Sequence, residues 1–365
     1  MFPVITLTGG PYERGHQYGV AARDRVHRSI AAYERTFRHY ADWDWSRSTA
    51  EARLFIPAID DFAPQYLEEM TGLADGAGVT LDDVLAINVR TEVMYSARVR
   101  SAVGASAPAE CSAFASVAPG RVLAGQNWDW APFACDTVVV LECVPSDGPA
   151  FLTVVEAGLL AKFGVNSEGL AVMTNALACT DDNGEAAVPY HVMLRGLLDC
   201  STTGEALALL EQTTRASSAN YLLADSSGAV VDVEAQPGGQ SALHRLLRDD
   251  SGVLLHTNHF VSPEFDAVDY ADLVISSTRT RLDRVSELVE SADDVGDLAM
   301  FEEALADHAS DPDSVCRHPD RSLPPPEQSM TVASVAIDLT ERRIRLCEGP
   351  PCTSGFEDID SSWLW

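Results

Sequence analysis

Apolar positions in the first 95 residues recur at helical spacing, and after residue 110 the pattern changes to short β-branched runs. Over Ile30 to Tyr40 and Ala58 to Leu73, hydrophobic side chains return every three or four positions, which predicts amphipathic helices. Val4 to Leu7 is a short apolar strand running into a Gly9-Gly10-Pro11 turn. Asp75-Gly76-Ala77-Gly78 breaks the helical pattern, because glycine is a poor helix former. Thr80 then predicts an N-cap. Asp82 and Asp83 fall in the first turn, where the helix dipole favours acids, and the helix runs on through Ile87 to Met94.

Residues 96–110, SARVRSAVGASAPAE, lack both large apolar side chains and any period, which reads as a surface linker. Beyond it, CSAFASV, VLAGQNW, TVVVLECV and AFLTVVEA are strand-like runs separated by Pro-Gly, Pro-Phe and Asp-Gly signals. KFGVNSEGLAVMTNAL predicts a hairpin turning at Asn166-Ser167-Glu168-Gly169. Helices follow over 189–200 and 204–215, then strands ANYLLAD and AVVDVEA around Ser226-Ser227-Gly228. A strand at 253–257 delivers HTNH, helices cover 276–290 and 298–308, and TVASVAIDL with RIRLCEG forms a closing hairpin. Pro-rich 323–326 is a loop. This order predicts sheets with helices outside them, an α+β fold. Residues 1–110 and 111–365 form two segments of one domain.

Composition adds one unusual feature. Asp and Glu total 55 against 25 Lys plus Arg, a net charge of −30, and Lys162 is the only lysine. Such a surface repels phosphate backbones and anionic lipid, so neither nucleic acid nor membrane is an expected partner. Any patch that binds a polyanion must be built almost wholly from arginines, with Arg317 and Arg195 as candidates. The eight cysteines include no CxxC pair and no Cys/His spacing of the usual zinc type, so no metal or cofactor is expected. The N-terminus lacks a basic segment followed by an apolar run, and no apolar stretch approaches membrane-span length. A reducing cytoplasm with free thiols is the expected setting.

A thiol inside a strand is most often a small buried hydrophobe. Cys111 differs in standing directly after a linker, with Asp129 of GQNWDW at the returning end of the same predicted hairpin. A carboxylate there is useful if Cys111 becomes a chain terminus, because it can hold the new α-amine to take the thiol proton. An α-amine titrates at about 7.7–8.0 and a thiol near about 8.5, so the two are matched near neutral pH.

GGPYERGHQYG, ECSAFA, GQNWDW, VEAGLLAKFGVNSEGLAVMTNAL, HTNH and SVCR occur in that order. Together they resemble the peptidase C45 family, the acyl-coenzyme A:6-aminopenicillanic acid acyltransferase-like branch of the N-terminal-nucleophile (Ntn) hydrolases. The resemblance runs from about residue 9 to about 347 and keeps the Cys-to-Asp spacing. It implies an αββα sandwich, two antiparallel sheets between helical layers, and self-cleavage between Glu110 and Cys111. It further implies Cys111 as nucleophile, Asp129 as orienter of its amine, Asn258 as oxyanion-hole donor and Arg317 as a further polar site residue. Two departures stand out. Glu110 occupies a position that is glycine in the penicillin enzyme. Gln126 stands where conjugated-bile-acid hydrolases carry arginine.

The expected activity is cleavage of N-acyl amides through a Cys111 thioester, on a small-molecule substrate, with the two chain fragments remaining associated. An acyl-coenzyme A-dependent N-acyltransferase is the alternative, since water and an amine can accept from the same thioester. Two rivals are an unprocessed binding protein and a papain-like enzyme, which needs a histidine such as His256 or His259 at the sulfur. On a strand, side chains three apart do not share a face, so these histidines read as structural.

Overall fold

The computed structural model describes residues 1–94, 110–248, 251–271 and 277–365. The linker read from composition lies outside the described residues except at residue 110, whose backbone is already in a strand.

The described strands are β1 (Val4–Gly9), β2 (Glu110–Ala118), β3 (Arg121–Trp130), β4 (Val138–Pro145), β5 (Phe151–Glu156), β6 (Phe163–Asn166), β7 (Leu170–Ala176), β8 (Ala219–Asp225), β9 (Val230–Ala235), β10 (Leu243–Leu246), β11 (Val253–His256), β12 (Met330–Asp338), β13 (Arg343–Glu348) and β14 (Glu357–Ile359). They form two sheets, ordered β1-β4-β5-β6-β7-β8-β9-β10 and β11-β2-β3-β12-β13-β14. The sheets stack, with β7, β8 and β9 of the first against β2, β3 and β11 of the second. Helices Tyr190–Leu198 and Thr203–Gln212 cover the first sheet, and Thr278–Glu290 and Leu298–Leu305 cover the second. This is the αββα order. Central strands are covered on both faces, so β5, β7 and β8 are buried almost end to end and read as continuous apolar runs. One edge departs from the antiparallel expectation: β1 pairs with β4 in parallel. Among the described residues, no helix is long and apolar enough to cross a membrane.

Two helical readings are corrected. The stretch Ala58 to Leu73 is two helices, Ile56–Phe62 and Pro64–Ala77. The break falls at Ala63-Pro64, because proline has no N–H to continue the ladder and disfavours α geometry in the residue before it. Asp75-Gly76 does not end the second helix, which continues to Ala77 and stops at Gly78 in the left-handed region, φ 73°. Gly76 is there for packing. A Cβ on Gly76 would lie 2.3 Å from the carbonyl oxygen of His16, and one on Gly72 would lie 2.1 Å from that of Tyr12. Gly15 and Gly19, on helix Pro11–Ala21, make the reciprocal approaches to Glu69 and Leu73. The two backbones touch, and tertiary contact overrides local propensity. A buried Arg14–Glu69 ion pair at 2.7 Å closes the same interface.

Gly15→Ala is therefore expected to destabilise the protein by about 1–3 kcal/mol through overpacking, seen as a lowered denaturation midpoint. Gly239→Ala, where an added Cβ meets nothing within 4 Å, should stay within about 0.5 kcal/mol of the parent. Equal midpoints for the two variants would contradict the close helix contact.

Candidate active site

β2 and β3 form the predicted hairpin, turning at Gly120 with φ 74°, and their register sets Glu110 opposite Asp129 and Cys111 opposite Trp128. The neighbour on the other side, β11, ends at His256 opposite Ala113. Cys111 therefore lies beyond the reach of the β11 ladder, and side chains complete its backbone bonding. Its N–H donates to Asn258 Oδ1 at 2.6 Å. Its carbonyl accepts from Arg281 Nη1 at 2.6 Å and from Asn175 Nδ2 at 3.1 Å.

Asn258 lies two residues past the end of β11, the strand that delivers HTNH. Its Oδ1 also accepts from Arg281 Nη2 at 2.9 Å, and its Nδ2 donates to the Ala176 carbonyl at 2.9 Å. Two donors on one atom and an acceptor on the other fix which way the amide points. An amide nitrogen carries two hydrogens, and the bond to Ala176 uses only one. Arg281 stands on helix Thr278–Glu290 and also reaches Ser112 Oγ at 3.0 Å.

Asp129 is fully buried and accepts from Thr331 Oγ1 at 2.6 Å. That hydroxyl in turn accepts from the backbone N–H of Arg317 at 2.9 Å. Thus Cys111, Asp129 and Asn258 converge, and Arg317 joins them through Thr331. The Arg317 guanidinium lies 3.8 Å from Asp313, one of the two partners its sequence neighbourhood offers. Arg195 is corrected. It is buried between the rings of Tyr66 and Phe151 and ion-paired to Asp199, in the core rather than in an anion-binding patch.

His256 does not serve the sulfur. Its Nε2 bonds Glu234 at 2.8 Å and its Nδ1 bonds the Thr257 carbonyl at 2.8 Å. Burial alone would lower its pKa, but Asp232 and Glu234 outweigh that and raise it overall. His259 Nδ1 contacts Thr278 Oγ1 at 2.9 Å, and burial pushes it down to about 4. Among the described residues, no hydrogen bond joins a histidine ring to Cys111, which a papain-like pair would need.

Sequence reasoning missed Lys162 as a site residue. It lies in the turn between β5 and β6, and its ammonium stands 4.7 Å over the Trp128 ring. With Cys111, Arg90, Thr91, Met94, Trp130, Ala176 and Tyr190 it lines a narrow cavity with room for little more than a water molecule. Burial lowers its pKa to about 8, with Arg90 adding to the effect and Cys111 opposing it. Burial also raises the Cys111 thiol, while Lys162 is the strongest opposing influence. The available signal was that a chain otherwise using arginine has one lysine, in the middle of a quoted motif. Arg281, Asn175 and Arg90 carried no such mark. Arg90 ion-pairs with Glu156 at 2.8 Å and stacks on Trp130 at 4.2 Å. Lys162, Arg281 and Arg90 thus assemble the cationic surroundings of Cys111 that no run of basic residues announced.

The family model for acyl-coenzyme A:6-aminopenicillanic acid acyl-transferase matches residues 117–352, a range that contains Asp129, Asn258 and Arg317 and begins just after Cys111. The 40 kDa form of acyl-coenzyme A:6-aminopenicillanic-acid-acyltransferase from Emericella nidulans is 25% identical over 317 residues, 86% of this chain and 84% of the relative. Two solved structures also align over 69% of this chain at 15% identity. Penicillin V acylase from Agrobacterium tumefaciens does so over 86% of its length with a TM-score of 0.42. A variant of conjugated bile acid hydrolase from Clostridium perfringens does so over 93% with 0.47. The family match spans well over half of the chain, and the chain is a member of the acyl-coenzyme A:6-aminopenicillanic acid acyl-transferase family of enzymes.

Proposed function

We propose that the chain cuts itself between Glu110 and Cys111, and that the freed Cys111 then carries acyl groups as a thioester, releasing them from N-acyl amides to water. The carrying observation is the grip on Cys111 at the open end of the hairpin ladder, its nitrogen 2.6 Å from Asn258 Oδ1 and its carbonyl on Arg281. A nitrogen about to become an α-amine is already held by a side chain that needs no rearrangement when the peptide breaks.

In the first step the sulfur attacks the Glu110 carbonyl carbon. The C–N bond breaks, the thiol proton goes to the departing nitrogen, and a thioester forms. Water then cleaves the thioester, leaving a carboxylate on residue 110 and a free thiol. In turnover the α-amine takes the thiol proton, the sulfur attacks the substrate carbonyl, and the leaving amine departs with that proton. Water activated by the same amine completes the cycle, and an acceptor amine in its place would give transfer. Asp129 supports the ammonium, with Thr331 and Arg317 positioning its carboxylate. The second amide hydrogen of Asn258 serves the oxyanion. The cavity beside Cys111 is narrow in the uncut chain, so a substrate must widen it to reach the sulfur. The halves, 1–110 and 111–365, stay together because β1 remains paired with β4 and the apolar helix faces still need cover.

Purified protein should therefore resolve into fragments 1–110 and 111–365 on denaturing electrophoresis, with N-terminal sequencing starting at Cys111. Cys111→Ala should remain a single chain and be inactive. In material that has been cut, Asn258→Ala should slow the chemical step by roughly 2.7–4 kcal/mol. An active protein that stays full-length after long incubation would remove the self-cleavage proposal.

Lys162 is the cation that acts most strongly on the thiol, and its charge is present below about 8 and lost above it. The α-amine must be neutral to act as base, so rate should rise with its deprotonation and fall as Lys162 loses its proton. Lys162→Met should lower kcat/KM and abolish the alkaline limb of the profile. An unchanged profile in that variant would take Lys162 out of the chemistry.

The amide reading is preferred to the acyl-coenzyme A alternative on charge. The cations at Cys111 suit one negative group, whereas the field of a chain carrying −30 opposes a polyanion. A neutral or singly charged N-acyl amide should turn over faster than a coenzyme A thioester at low salt, with the gap narrowing as salt screens the field. Faster turnover of the thioester at both salt levels would establish the acyltransferase reading instead.

A further inference from the structure

On the far side of Arg317 the fold gathers four side chains that the proposed mechanism does not use. His308 follows helix Leu298–Leu305, Cys316 and His318 flank Arg317, and Cys352 lies in the short helix Pro351–Ser354 after β13. One potential ligand atom from each lies within 4.8 Å of all the others. His318 Nε2 stands 3.0 Å from His308 Nε2 and 3.3 Å from Cys352 Sγ. Cys352 is 34 residues from His318 in sequence and is brought to it by the β12–β13 hairpin.

We propose that these four residues bind a zinc ion. Two thiols and two imidazoles with no carboxylate among them form a donor set suited to zinc, and poorly suited to magnesium or calcium. Tetrahedral zinc at about 2.3 Å from sulfur and about 2.0–2.1 Å from nitrogen holds its ligand atoms roughly 3.3–3.8 Å apart. The observed pairs bracket that spacing, so rotamer adjustments of under about an ångström close the site. Cys316 is buried while His318 and Cys352 are exposed, so the ion would sit at the protein surface with its inner side against the core. Bound there, it would tie three segments together: the end of helix Leu298–Leu305, the loop carrying Arg317, and the turn after β13. Cys316 N–H already bonds the Asp307 carbonyl at 3.0 Å. The ion would thereby fix the backbone of Arg317, whose N–H leads through Thr331 to Asp129.

The site does not depend on Cys111 chemistry, and its test is metal content rather than activity. Full-length protein purified under reducing conditions without added metal, then exchanged into zinc and passed over a desalting column, should retain one zinc per chain by mass spectrometry of the element. Cobalt exchanged for zinc should show the visible bands of a tetrahedral thiolate site. Cys352→Ser and His318→Ala, both at exposed positions, should lose the zinc and the bands while keeping the circular dichroism of the parent. Cys111→Ala and Cys200→Ser should keep both. Zinc retained equally by Cys352→Ser, or no zinc and no cobalt bands in the reduced parent, would overturn the proposal. A parent whose mass is short by two hydrogens, with Cys316 and Cys352 linked as a disulfide, would overturn it as well.

Discussion

A buried peptide group must have both its N–H and its C=O satisfied, and at Cys111 the sheet cannot do this alone. β11 ends opposite Ala113, so beyond that point its ladder is gone, and Asn258, Asn175 and Arg281 take over. Each comes from a different element: the turn after β11, strand β7 of the opposing sheet, and helix Thr278–Glu290. The stacking of the two sheets and the docking of that helix are thus read out at one residue. Disturbing any layer shifts the nitrogen on which the proposed chemistry turns.

The electrostatics follow from the same burial. Lys162, Arg281 and Arg90 are all buried, and buried charge is tolerated only with partners. Arg90 has Glu156, and Arg281 donates to oxygens of Ser277, Cys111, Ser112 and Asn258. Lys162 has an aromatic face beneath it and a thiol beside it, so its proton is the loosest of the three. Charge next to the sulfur is therefore adjustable near neutral pH, whereas the charge that shapes the backbone is permanent.

What could be read in advance was local or periodic. The Cys111–Asp129 hairpin was legible because strand runs alternate with turn residues and a hairpin forces its ends together. The strand carrying HTNH and the helix carrying Arg281 were each visible as elements, but no pattern shows that the helix reaches Cys111. Gly76 was misread for a related reason. Its local cost in a helix is plain from composition, whereas its benefit, a backbone contact with His16, exists only once another helix arrives. Cys316 and Cys352 lie far apart in sequence, and only the β12–β13 hairpin reveals them as neighbours. Lys162 was noticed for rarity and not for place.

The parallel edge between β1 and β4 has a consequence for how such a protein ages. In a chain severed ahead of Cys111, this pair of strands belongs to two separate molecules joined without any covalent link. Unfolding would then release two partners, and recovery would require them to find each other again at whatever dilution prevails. A single continuous chain repairs a thermal opening by itself, whereas the severed form would do so at a rate set by concentration. Its durability would be governed by the barrier to first opening, a lifetime more than an equilibrium. The contacts that hold β1 to β4 across the cut would set that lifetime.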